Sequence, residues 1–291
     1  MIKFTKMEGI GNDYVYIANQ NINNPSELAK VISDRHFGVG SDGLILINKS
    51  DQADFKMNIY NPDGTQAEMC GNGIRCVGKY VYDKGLTDKT DITIETLAGI
   101  KRLKLELEDN KVSLITVDMG EPILAADKIP VINYELETSK DGIPFVQADI
   151  NLLIFNKIER LTCISMGNPH AVCFTDNVDE IDIDEFGPLI ENDETFPNRT
   201  NVEFADIVNK NEINMRVWER GAGETMACGT GACAVAVASF LNGYTERRVT
   251  VNLPGGKLEI NFNENDNHVY LKGPARIIFE GEFDDKGKYS K

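Results

Sequence analysis

One internal echo constrains the fold of this chain more than any other feature of it. The stretch AEMCGNGIRCVGKYVYDKG, Ala67 to Gly85, sets a cysteine directly before a Gly-x-Gly turn that opens a helical pattern. MACGTGACAVAVASFLNG, Met226 to Gly243, repeats the device. Cys70 to Gly85 is fifteen steps, as is Cys228 to Gly243, and the two cysteines lie 158 residues apart. The same offset carries Gly71 onto Gly229, Gly73 onto Gly231 and Val77 onto Val235. Upstream it lays MNIYN (Met57 to Asn61) on MRVWE (Met215 to Glu219). A further echo sets Met7 to Asn12 against Met166 to Asn168, ending 58 and 60 residues before the respective cysteines. Self-similarity at one long period marks a duplicated unit, here of roughly 120–150 residues. A chain of 291 residues holds two of them. We expect one half from residues 1–119 plus 275–291 and the other from 120–274. Two like units predict pseudo-twofold symmetry, which brings equivalent points together; the two cysteines are then expected to face each other across one cleft.

The rest of the pattern is mixed α+β with strands dominant. Asp91 to Gly120 alternates apolar and polar residues, with a break at Asp109-Asn110, and reads as strands joined by hairpins. Arg247 to Phe283 reads the same way, with turns at Pro254-Gly255-Gly256 and near Glu264 to Asn267. NPSELAKVISDRH predicts a helix capped by Ser26, with Pro25 just before it. After Cys70, apolar residues recur at Ile74, Val77 and Val81, one helical face, and Gly85 supplies the stop. After Cys228 the run Ala232 to Leu241 is apolar almost all round, so that helix must be buried on every side.

Composition excludes several classes. No apolar run approaches the roughly 18 residues of a membrane span, and MIKFTKMEGIGNDY lacks the apolar core of a signal peptide, so a cytoplasmic protein without a membrane partner is expected. Six cysteines are too sparse for a secreted disulfide scaffold, and reduced thiols are expected. A net charge of −16 repels a phosphate backbone and argues against nucleic acid.

A cysteine at a helix N-terminus meets unpaired backbone N–H groups and the positive end of the helix dipole, both of which favour the thiolate. The flanking glycines let a carboxylate approach the same N–H groups. An amino-acid carboxylate set where two such helix ends meet points its α-hydrogen at one sulfur and its opposite face at the other. One thiolate then removes the proton, one thiol delivers another from the far side, and the centre inverts. General acid–base catalysis contributes about 10²–10⁴-fold, and the N–H groups stabilise the developing enediolate.

The strings KMEGIGNDY, GVGSDGL, NPDGTQAEMCGNGIRC, SMGNPHAV, RTNVEF, ERGAGETMACGTGACA and LPGG strongly resemble the diaminopimelate epimerase family across essentially the whole chain, with Glu219 to Ala234 the most specific segment. The resemblance implies a fold of two pseudo-symmetric halves, each a β-barrel-like sheet around a central helix, with the last strand returned to the first half. It implies an amino-acid epimerase of lysine and peptidoglycan biosynthesis that uses no cofactor and no metal, and a homodimer. Carried over by motif, Cys70 and Cys228 are the acid–base pair, and His170 and Glu219 assist. Asn12, Asn61, Asn168 and Asn201 line the substrate site, Gly71-Asn72 and Gly229-Thr230 offer backbone N–H groups, and Glu219 and Arg220 hold charged substrate groups. One departure concerns Gly43 in GSDGL, where some members carry Gln; the 158-residue offset pairs Gly43 with Asn201.

Plainer readings stand beside these. Cys70 and Cys228 taken singly would be buried structural thiols, and Cys76, Cys163, Cys173 and Cys233 read as core. The spacings Cys-x5-Cys and Cys-x4-Cys do not make a zinc site. His170 follows Pro169 in what reads as a polar turn; Glu219-Arg220 alone would be a surface ion pair, and the asparagines alone would be turn formers. Gly9-x-Gly11 lacks the third glycine of a dinucleotide site, and no phosphate loop or pyridoxal lysine stands out. Three functions remain open at this point: diaminopimelate epimerase, a proline or hydroxyproline racemase of the same fold, and a non-catalytic thiol protein. The first two differ in whether a distal amino-acid group must be held, for which Arg220, Glu219, Asn61 and Asn201 supply the donors and charge.

Overall fold

The computed structural model describes residues 1–152 and 157–285. The chain divides into two compact units, Met1–Asp118 with the segment from Lys272 onward, and Met119–Leu271.

The first unit runs β1 (Ile2–Gly9), β2 (Asn12–Ala18), α1 (Pro25–Ile32), β3 (Leu44–Asn48), β4 (Phe55–Tyr60), β5 (Gln66–Ala67), α2 (Gly71–Asp83), β6 (Asp91–Thr96), β7 (Gly99–Glu108) and β8 (Lys111–Asp118). β1 and β2 form an antiparallel hairpin, β2 and β3 are parallel, and β4 pairs antiparallel with β3 and β5 but parallel with β6. β7 joins β6 and β8 by the hairpins read from the sequence; Asp109 and Asn110 turn the second with φ of 49° and 61°. The strand Arg276–Phe283 returns to pair antiparallel with β1, so both ends of the described chain belong to this unit. α2 lays Ile74, Cys76, Val77 and Val81 against the sheet. Gly78 lets it approach β7 and β8: a Cβ there would stand 2.9 Å from Leu103 and 3.1 Å from Leu105.

The second unit contains β9 (Tyr134–Thr138), β10 (Pro144–Leu152), β11 (Lys157–Ser165), β12 (Pro169–Phe174), α3 (Ile183–Glu191), β13 (Asn201–Asn209), β14 (Glu212–Glu219), β15 (Gly223–Thr225), α4 (Gly229–Leu241), β16 (Arg248–Leu253) and β17 (Gly256–Phe262), and ends in β18 (Val269–Gly273). Its pairing repeats the first unit step for step. β11 and β12 are antiparallel, β12 and β13 parallel, and β14 pairs antiparallel with β13 and β15 but parallel with β16. α2 and α4 are both 13 residues long and start 158 positions apart. The alternation that predicts strands is met in burial: along β14, Ile213, Met215 and Val217 are buried between less buried neighbours. α4 is enclosed by β11, β12, β13, β14, β16 and β17. Each fully buried Val or Leu on it contributes roughly 1.5–3 kcal/mol, which is how a helix without a polar face is stable here. Each unit is thus a sheet wrapped around one helix, the fold class expected.

Two local expectations need correction. Ser26 does not cap α1. The cap is Asn24, whose side chain accepts the Glu27 N–H at 3.3 Å with Pro25 in the first turn, while Ser26 Oγ donates to Gly64 O at 2.7 Å. A proline has no N–H to leave bare, so Pro25 suits the first helical position and the cap falls on Asn24, two residues upstream of Ser26. His170 is not in a polar turn: it is the second residue of β12 and has no exposed surface. The strand starts at Pro169, whose missing N–H is harmless at a first strand position.

Candidate functional site

In the first unit Cys70 is the N-cap of α2, with extended backbone (φ −139°, ψ 116°), and its sulfur accepts the Gly73 N–H at 3.3 Å. A sulfur thus stands where Ser or Asp commonly caps a helix, next to the positive end of the dipole. Its S–H donates to Asn12 Oδ1 at 3.4 Å, which brings Asn12, the first residue of β2, to the thiol. Gly71 and Asn72 follow in the first turn and are buried. Asn61 stands in the turn after β4, its Nδ2 donating to Thr65 Oγ1 at 3.0 Å.

Arg75, not singled out from the sequence, is fully buried behind this turn: Nη1 donates to Gly71 O at 2.9 Å and Nε to Pro274 O at 3.1 Å. A helix arginine is ordinarily solvated, and no local pattern marks this one as interior. Below it, burial pushes the Cys76 thiol up to about 12 and Tyr16 well above its ordinary range. Gly43 sits at φ 153°, and a Cβ there would lie 2.4 Å from Tyr60 O and 2.9 Å from the Tyr14 ring. This backbone leaves no room for a side chain at Gly43.

In the second unit Cys228 caps α4 in the same way (φ −121°, ψ 113°) and accepts the Gly231 N–H at 3.3 Å, with Thr230 Oγ1 at 3.4 Å and Gly229 buried beside it. It is buried, and burial, then the carboxylates of Glu219 and Glu203, push its thiol well above the ordinary range. Glu219 accepts from Thr225 Oγ1, which ties the end of β14 to β15.

His170 Nδ1 lies 2.6 Å from Glu203 Oε1, both side chains having no exposed surface, and Nε2 lies 3.1 Å from Asn168 Oδ1. The parallel register that sets His170 beside Asn201 lets Asn201 Nδ2 donate to Pro169 O at 2.8 Å and its Oδ1 accept the Arg220 N–H at 3.0 Å. Two hydrogen-bonded pairs, His170 with Asn168 and Asn201 with the Arg220 N–H, thus meet at the Pro169 backbone. The Arg220 guanidinium is exposed and donates to Asn198 O at 2.9 Å. The turn after Arg220 is held by buried Glu191, which accepts from Gly221 N–H (3.0 Å), Trp218 Nε1 (2.7 Å) and Arg199 (2.9 Å).

Glu203 and Glu191 escaped the sequence reading. In RTNVEF alternation sets Glu203 on the face opposite Val202 and Phe204, which reads as the solvent side, yet it is fully buried, and a buried acid calls for a partner. Among the described residues no group of three or more His, Cys, Asp or Glu side chains is gathered as a metal site. A groove of about 630 Å³ on this unit is lined by Asn214, Arg216, Glu224, Met226 and Asn252. Its guanidinium is engaged by Glu224 and by the carbonyls of Val178 and Ile181.

Comparison with known proteins follows the same lines. The family model for diaminopimelate epimerase matches residues 4–125 and 162–278. A diaminopimelate epimerase of Methanococcus maripaludis is 56% identical over 285 residues, covering 97% of this chain and 100% of that protein. One of Acetivibrio thermocellus is 54% identical over 285 residues, 97% and 99% of the two chains. Solved structures share the fold at low identity. A phenazine biosynthesis protein of the PhzF family from Bacillus anthracis has a TM-score of 0.68 at 16% identity, covering 97% of this chain and 98% of that one. A probable proline racemase from Agrobacterium radiobacter has 0.67 at 14%, covering 99% and 94%.

Proposed function

The chain belongs to the diaminopimelate epimerase family, and we propose from that premise that it interconverts LL-2,6-diaminopimelate and meso-diaminopimelate without a cofactor, Cys70 and Cys228 acting on opposite faces of one α-carbon. Family membership makes it an isomerase, an amino-acid epimerase. The observation that carries the mechanism is the duplicated cap: in both units the N-cap of the central helix is a cysteine sulfur held by the N–H three residues on.

The α-hydrogen leaves as a proton to one thiolate. Its electron pair passes into the carboxylate as an enediolate, which the N–H groups of Gly71, Asn72, Gly229 and Thr230 stabilise. The opposite thiol returns its own proton to the far face and becomes the thiolate. Burial and two nearby carboxylates favour Cys228 as the proton donor at the start of a turnover from this state; the reverse reaction exchanges the roles. Asn12, Asn61, Asn168, Asn201, Glu219 and Arg220 hold the ammonium and carboxylate groups of the substrate, with the guanidinium on the distal carboxylate. His170 and Glu219 assist the thiols. We place the enzyme in the cytoplasm, where thiols stay reduced, as a homodimer serving lysine and peptidoglycan synthesis; no helix among the described residues is long and apolar enough to cross a membrane.

The likeness to a proline racemase is one of fold alone. The deciding experiment is exchange of the α-hydrogen in deuterated water with LL- and meso-diaminopimelate, and proline alongside. Deuterium at the inverted centre of diaminopimelate and none in proline is expected; exchange into proline at an equal rate overturns the reading.

A further inference from the structure

The amide of Asn12 lies between Cys70 and a carboxylate that none of the roles above uses. Asn12 Nδ2 donates to Asp42 Oδ2 at 2.7 Å, and the Asp13 N–H donates to the same oxygen at 3.0 Å. Asp42 Oδ1 is held from outside by Arg35 Nη2 at 2.8 Å, which also binds Asp13 Oδ1 at 2.8 Å. Lys6, a buried residue of β1, pairs with the second oxygen of Asp13 and donates to Gly40 O.

Amide orientation in Asn is ordinarily ambiguous, but a carboxylate only accepts. The nitrogen of Asn12 must therefore face Asp42, and the oxygen is left facing the Cys70 sulfur. A thiol can donate to that oxygen and a thiolate cannot, so this orientation favours the protonated sulfur, against the pull of the Gly73 N–H and the helix end.

We propose that Asp42, clamped by Arg35, is a positioning residue that fixes the Asn12 amide with its oxygen towards Cys70 and so holds this cysteine as a thiol in the unliganded enzyme. The proposal rests on Cys70 being one of the two acid–base cysteines. An ammonium group is a stronger donor than a thiol, so the amino group of an arriving amino acid takes over Asn12 Oδ1 and leaves the sulfur to the Gly73 N–H, which favours the thiolate.

The other groups around α2 are engaged elsewhere. On the helix itself Cys76 is pushed up to about 12 and Arg75 is engaged by Gly71 O and Pro274 O. On β2 Tyr16 is pushed well up and its hydroxyl donates to Gly73 O at 3.3 Å. On β1 Glu8 accepts from the Gly11 N–H and pairs with Arg276 of the returning strand, and Lys6 is taken by Asp13. β7 and β8 present Leu103, Leu105 and Ile115 to the helix, and the Lys79–Asp83 and Lys84–Glu280 pairs stand at its far end.

The test is iodoacetamide labelling of Cys70 in unliganded wild type and Asp42→Asn across pH 6–10, quantified peptide by peptide by mass spectrometry. Freed from the carboxylate, the Asn12 amide can turn its N–H to the sulfur. The labelling midpoint is expected to fall by about one pH unit, near tenfold in thiolate at neutral pH, while the Cys228 profile stays where it was. Asp42→Ala, which removes the acceptor altogether, is expected to shift the midpoint the same way, and carries the test if Asp42→Asn does not fold. An unmoved or raised Cys70 midpoint in the folded variants overturns the proposal. Labelling requires no turnover, so failure of the epimerase reading shows separately, as absent exchange into diaminopimelate by the wild type.

Discussion

Gly73 and Gly231 stand at the same place in the two helix caps, and replacing each by alanine should have unequal effects. A Cβ on either glycine meets its nearest neighbour at 2.7 Å, too close for both. On Gly73 that neighbour is Cδ1 of Ile45, the far end of a side chain that can rotate; on Gly231 it is Oε1 of Glu203, which is fully buried and lies 2.6 Å from His170 Nδ1. Overpacking costs about 1–3 kcal/mol, and alanine in place of glycine in a helix returns at most about 1 kcal/mol. Gly73→Ala should then cost roughly 0–2 kcal/mol. Gly231→Ala must also displace the carboxylate, breaking a hydrogen bond worth about 1.5–3 kcal/mol, for a total of roughly 2–5 kcal/mol. At about 2–4 °C per kcal/mol for a unit of this size, scanning calorimetry should find Gly231→Ala lower in Tm than Gly73→Ala by about 3–12 °C. It should also lose far more kcat in diaminopimelate epimerisation, because the shifted group carries His170. Equal Tm values would refute the assignment of Glu203 as a fixed neighbour of the α4 cap.

Cys70→Ala and Cys228→Ala should each abolish epimerisation with circular dichroism unchanged; Cys228→Ser should be more stable than Cys228→Ala by about 0.5–2 kcal/mol, since it keeps an acceptor for the Gly231 N–H, and near wild-type turnover in either alanine variant would remove the two-thiol mechanism. Arg220→Met, at an exposed side chain, should leave Tm within about 2 °C and raise KM for diaminopimelate roughly 10- to 150-fold through loss of a charge-assisted clamp; an unchanged KM takes Arg220 out of the substrate site. Burial holds Cys76 and Cys163 at about 12 against an ordinary 9.0, and Cys228 is raised in the same direction. Their raised values favour the folded state fully below about pH 9, and that contribution is lost as pH climbs towards 12, by roughly 4 kcal/mol for each of the first two. Tm should therefore be flat from pH 7 to 8.5 and fall steeply above 9; a flat profile to pH 11 would contradict the burial of these thiols.

What the sequence made legible follows from which contacts are local. The cap spacing, the 158-residue repeat and the alternation in β6, β7, β16 and β17 are properties of adjacent residues, and these elements form where the pattern puts them. The α1 cap lies two residues upstream of the expected one because Ser26 and Asn24 both suit the role, and only the distant Gly64 carbonyl, which takes the Ser26 hydroxyl, separates them. His170 was misjudged because Gly-Asn-Pro-His reads as a turn locally, whereas its strand character comes from pairing with Ile164 and Asn201. Arg75, Asp42, Glu191 and Glu203 stayed invisible for the same reason. Each is a charged residue whose partner lies on another element, and no spacing rule encodes that.

The duplication explains both the likeness of the two thiols and their difference. Copying the unit copies the backbone: two sulfur-capped helices with glycines at matching positions, and asparagines entering from matching loops at Asn12 and Asn168. An epimerase cannot use two identical groups during turnover, because one must give a proton while the other takes one. The difference is supplied by side chains outside the cap. In the first unit the sulfur is half-buried and meets a neutral amide oxygen, whose orientation a surface carboxylate controls. In the second the sulfur is buried beside Glu219 and Glu203, and burial and negative charge both hold its proton in place. Exchanging these surroundings, rather than the cysteines, is what should reverse which thiol gives up its proton when an amino acid arrives. Glu203→Gln is the simplest step in that direction: it leaves the cap intact and removes one of the two charges that hold the Cys228 proton.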